Sequence, residues 1–67
     1  MKAIDTWSTV QMKSFIIKAM WYDGELQELD LADLLLAVKH THRSKDWIRT
    51  FSSAYKQVLD TYFEENV

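Results

Sequence analysis

The chain has 67 residues, a formal net charge of −2, no Cys, no Pro and a single Gly. Without Cys there are no disulfides and no thiolate metal sites. The slightly acidic balance argues against a dedicated polyanion binder, and no apolar run approaches the 18 residues of a membrane span.

The length allows one small domain and no second core. A chain this short buries only about 60% of its unfolded surface, so it needs very good helix packing or self-association to be stable. Hydrophobic residues make up 48%, including three each of Trp, Tyr and Phe. That is too rich for a disordered chain. The opening "MKAIDTWSTV" lacks the apolar core of a signal peptide, so a cytoplasmic location is expected.

With almost no turn residues, helices are the expectation throughout. The first is predicted from about Ser8 to Tyr22. "STVQ" reads as a capping box with Ser8 at the N-cap and Gln11 at N3, and Trp7 and Met12 suit a hydrophobic staple. Gly24 then suits the left-handed C′ position that ends a helix. Residues 25–29, "ELQEL", form a short connection or single turn. Running the next helix back through them would turn Leu26 and Leu29 away from the Leu31, Leu34, Leu35 stripe.

The second helix is predicted from Asp30, as N-cap, to about Thr41. Asp33 stands in its first turn, and Leu29 and Leu34 could form a second staple. Lys39, His40 and Arg43 lie at or just past its C-terminal end, where cations are favoured. The third helix is predicted from Ser44, as N-cap, to about Glu65. Trp47, Phe51, Ala54, Tyr55, Val58 and Tyr62 recur at three- and four-residue steps and share one side, widened by Ile48 and Leu59. Arg49, Ser53, Lys56, Gln57, Asp60 and Glu64 fall opposite. The fold class expected is all-α, a dimeric, compact three-helix bundle or close variant forming one domain over residues 1–67.

The first helix carries two apolar stripes. Met12, Phe15, Ile16 and Ala19 span about 100° of arc, with Tyr22 at the edge. Val10, Ile17 and Trp21 lie within about 40° of one another on the far side. Either this helix is central, sandwiched between the other two, or one stripe fills the core and the other meets a second chain. A peripheral helix needs only one buried face, and soluble monomers seldom leave a contiguous stripe of this kind uncovered. Trp is also a favoured interface anchor. The expectation is therefore a twofold homodimer with Val10, Ile17 and Trp21 as the candidate interface.

No catalytic, cofactor-binding or metal site is expected. His40 and His42 are two residues apart, so on a helix they point in nearly opposite directions and cannot share a metal. His42 falls on the side of Leu35 and Val38 and could close the core. Asp23, Glu25, Glu28, Asp30 and Asp33 do not match the ligand spacing of a calcium loop. They read as capping acids and a solvated face, or as a surface for a basic partner. Ser52 and Ser53 have no His in phase, and no Gly-rich phosphate loop is present.

The stretch "HRSKDWIRTF" (42–51) raises the question of nucleic acid. Read as a helix-turn-helix, the third helix would enter the major groove, with Lys39, Arg43, Lys45 and Arg49 as the candidate contacts. Against this stand the missing turn Gly, the apolar Trp47 and Ile48 at the start of the reading helix, and the acidic run just upstream. The stretch reads better as a capped connection between helices. The functional expectation is a non-enzymatic, self-associating protein–protein interaction protein with no cofactor, acting as an adaptor, inhibitor or accessory regulator. A dimeric helix-turn-helix-like DNA-binding regulator is the alternative.

Overall fold

A computed structural model describes residues 6–63, with His40 described by its backbone alone. Ser8 opens the first helix, α1 (Thr9–Met20). Its Oγ accepts from the Gln11 backbone N–H at 3.3 Å, and Gln11 Oε1 accepts from the Ser8 N–H at 2.8 Å. This reciprocal cap satisfies two amides that lack partners among the helical carbonyls. Trp7, just before the cap, is half-buried with its ring 5.2 Å from that of Phe15.

The helix stops at Met20, short of the expected Tyr22. Trp21–Tyr22 (β1) pairs antiparallel with Glu25–Leu26 (β2), Trp21 facing Leu26 and Tyr22 facing Glu25. Between them Asp23 and Gly24 have φ of 53° and 83°. Two consecutive left-handed residues form the type I′ hairpin loop, for which Asp-Gly is a preferred pair. Gly24 therefore closes a hairpin and is not the C′ residue of α1. Gln27 extends the pairing by donating its N–H to the Met20 carbonyl at 2.8 Å. The chain is thus mostly helical, with three α-helices and one small two-stranded sheet among the described residues.

The next helix, α2 (Leu31–Ala37), begins after Asp30 as expected. The Asp30 carbonyl accepts from the Asp33 and Leu34 amides at 3.1 and 3.3 Å, while its side chain makes no capping bond. The helix ends well before Thr41, because Lys39 takes a φ of 56°. A left-handed L-residue cannot continue a right-handed helix. A short 3₁₀ turn, His40–His42, follows. Ser44 Oγ then accepts from the Trp47 amide at 3.0 Å and caps α3 (Lys45–Tyr62). This helix stops before the expected Glu65, with the Phe63 N–H bonded to the Leu59 carbonyl at 2.8 Å. Glu64 and Glu65 lie outside the described residues.

One core joins all three helices. It comprises Met12, Ile16 and Met20 of α1, Leu34 of α2 with Val38 just after it, and Trp47, Phe51, Ala54 and Val58 of α3. The Trp47 and Phe51 rings stack at 5.0 Å, and Phe15 meets Phe51 at 6.3 Å. Both geometries are favourable for aromatic pairs.

The buried face of α1 is turned by about 50° from the expected one, judged at 100° per residue. Met20 is buried, Ala19 is exposed, and Phe15 and Ile17 are half-buried on opposite flanks. Two further core expectations are corrected: Tyr62 and His42 are exposed. Tyr62 stands in the last turn of α3, next to an open groove. His42 points outward from the 3₁₀ turn, and Arg43 takes the inner position.

Tyr55 ties α3 to the segment before α2. Its hydroxyl donates to the Leu29 carbonyl at 2.9 Å. Burial pushes the phenol above its ordinary range, and the nearby carboxylates Glu28 and Asp30 push the same way.

Candidate protein-interaction surface

The helices α1 and α3 lie side by side, with Lys13 Nζ donating to Gln57 Oε1 at 3.2 Å. The seam is not filled. A groove of about 290 Å³ runs between Val10, Ser14 and Ile17 on one side and Val58, Thr61 and Tyr62 on the other. Val58 is buried at its floor and Ile17 is half-buried, but Val10 is 69% exposed and Tyr62 53% exposed.

Trp21 belongs to β1 and is 58% exposed. Its φ of −78° is close to the helical value, and φ sets where the Cβ leaves the backbone. The side chain therefore departs in the helical direction, in phase with Ile17 one turn earlier, although its ψ has already turned the chain into the hairpin. Of the candidate interface residues, Val10 and Trp21 are open and Ile17 is partly covered by the core it flanks. Tyr62, which helical phase alone places with the core stripe, joins Val10 and Ile17 at the groove. Tyr22 and Leu36 are also exposed, away from the lining of this groove.

The candidate nucleic-acid contacts divide. Lys39 and Lys45 are exposed. Arg49 is exposed and faces Asp46 one helical turn back at 3.6 Å. Arg43 is turned inward. Its Nε and Nη2 both donate to the Val38 carbonyl, at 3.3 and 3.1 Å, and its guanidinium lies 5.5 Å from the Trp47 ring centre. It thus stops the C-terminal end of α2 electrostatically and stacks on the start of α3. Beside it a cleft of about 340 Å³ is lined by His42, Arg43, Ser44 and Trp47.

Residues 38–44 join α2 to α3, a longer link than the three- or four-residue turn of a helix-turn-helix. In the first turn of α3 Trp47 is buried and Ile48 half-buried, which leaves Lys45, Asp46, Arg49 and Thr50 outward. No three metal-ligating side chains cluster among the described residues, and none of the described helices is long and apolar enough to cross a membrane. Comparison with protein-family models, with curated proteins and with solved structures finds no match.

Proposed function

We propose that this protein acts by binding other proteins, as an adaptor, inhibitor or accessory regulator, and that it self-associates through the α1–α3 groove and the adjoining Trp21. One observation carries the reading: Val10 and Tyr62 leave more than half of their surface open beside a half-buried Ile17 in the groove, and Trp21, in helical phase with Ile17, is 58% exposed. Open apolar side chains grouped along one seam mark interaction surfaces, and a large aromatic is a favoured anchor. A small domain also gains a larger core by pairing.

A twofold axis across α1, midway between Ser14 and Ile17, closes the assembly. It sets Val10 of one copy beside Trp21 of the other and Ser14 beside Ile17, so that large side chains face small ones. A single groove flanked by one exposed Trp calls for weak association, with a dissociation constant on the order of 1–100 µM. Sedimentation equilibrium tests it. Trp21→Glu places a charge at the seam and should weaken association at least tenfold while leaving the helical content unchanged. A Trp21→Glu protein that associates like the wild type removes the reading.

A second reading, a dimeric DNA-binding regulator using α3, is favoured by the outward cations Lys39, Lys45 and Arg49. Asp46 within that surface and the long link before α3 weigh against it. Duplex DNA of random sequence at low salt separates the two, because a regulator binds with a steep salt slope.

A further inference from the structure

Between Lys18 and Lys39 the chain holds Asp23, Glu25, Glu28, Asp30 and Asp33 and not one Lys or Arg. Among the described residues no ion pair engages any of these carboxylates. The α2–α3 junction is the opposite case, where Lys39, Lys45 and Arg49 are outward and Asp46 is the one carboxylate between residues 39 and 49. Among the described residues no ion pair joins the two groups.

An apolar element accompanies each charge group. At the hairpin, Tyr22 is exposed and pairs across the strands with Glu25, so ring and carboxylate share one face. At the junction, the cleft lined by His42, Arg43, Ser44 and Trp47 offers a guanidinium lying over an indole ring.

We infer that a second copy of this chain seats its acidic hairpin on the basic α2–α3 junction of the first, with Tyr22 entering the cleft beside Arg43 and Glu25 and Glu28 facing Lys45 and Arg49. The tyrosine ring meets the guanidinium in a cation–π contact, and the carboxylates meet outward cations, a pattern that steers encounter and fixes register. Both complementary halves reside in the same sequence, which is why the occupant is another copy and not an unrelated basic protein. The contact is separate from the α1–α3 groove, because neighbouring strand residues point to opposite faces and Tyr22 points away from Trp21.

Charge reversal with complementation tests this. One variant carries Glu25→Lys and Glu28→Lys, and the other carries Lys45→Glu and Arg49→Glu. All four positions are exposed, and an acidic residue at the start of α3 suits the helix dipole, so the fold is retained. Self-association is measured by sedimentation equilibrium at about 30 mM and about 300 mM salt, where screening differs strongly. Each variant alone should associate at least tenfold more weakly than the wild type at low salt. An equimolar mixture should recover that loss, and high salt should abolish the recovery. The same comparison in a Trp21→Glu background, where association through the α1–α3 groove is weakened in every sample, makes a failure here distinct from a failure of the groove. As a second probe that leaves the charges alone, Tyr22→Ser should weaken wild-type association at low salt. A mixture no more associated than its parts, or a Tyr22→Ser protein that associates like the wild type, overturns the inference.

Discussion

Replacing Gly24 by Ala isolates the hairpin that carries Trp21 and Tyr22 out of α1. Gly24 has φ of +83°, and a Cβ built on it meets no atom within 4 Å. The new methyl group therefore clashes with nothing, and the cost lies in the backbone alone. Holding an L-residue in the left-handed region costs about 1–2 kcal/mol. Ala also narrows the unfolded ensemble, which offsets about 0.4–1 kcal/mol. The net loss should be about 1 kcal/mol, or about 4–8 °C in Tm for a domain of this size. Gly24→Asn should cost clearly less, because Asn tolerates the left-handed region. Urea unfolding followed by circular dichroism reads both, as a shifted midpoint with an unchanged slope. An Ala variant as stable as the wild type would refute the reasoning. So would an Asn variant as damaged as Ala, since the loss would then not depend on left-handed backbone.

Tyr55→Phe should cost about 0.5–1.5 kcal/mol by removing the bond to the Leu29 carbonyl. The raised phenol pKa means that the folded state favours the protonated form. That contribution is complete below the ordinary tyrosine pKa of about 10 and is lost as pH rises through the higher folded value, so the stability gap between wild type and Tyr55→Phe should narrow at alkaline pH. Arg43→Ala should cost about 1–2 kcal/mol in thermal or urea unfolding, through the loss of two bonds to Val38 and the stack on Trp47. Arg43→Lys should recover less than half of this, because an ammonium lacks the planar fork.

The three helix starts were legible because N-caps are local: Ser8, Asp30 and Ser44 each stand just before their helix as expected. The hairpin was also written locally, as Asp-Gly between Trp-Tyr and Glu-Leu. The helical period of α1 runs on through Trp21 and Tyr22 and hides it, and φ at Trp21 preserves that phase. The early end of α2 has no marker in residue type. Lys39 adopts a left-handed conformation usually left to Gly or Asn, and the Arg43 fork on Val38 reinforces the stop from beyond the helix. Two apolar stripes on α1 could not say which phase is buried. That depends on where α3 lies, and the choice of Met20 over Ala19 is made by tertiary packing. The same dependence hid Tyr62, which helical phase assigns to the core and the end of α3 leaves at the groove.

On the proposed function, another protein molecule, beginning with a second copy, covers Val10, Ile17 and Tyr62 at the groove and the exposed Trp21. The direct measurement is the mass of the wild-type protein against concentration at moderate salt, from about 1 to about 300 µM, a range chosen to bracket the expected dissociation constant. The mass should rise from monomer toward dimer or beyond across that range. A mass that stays at 8.0 kDa throughout would contradict it.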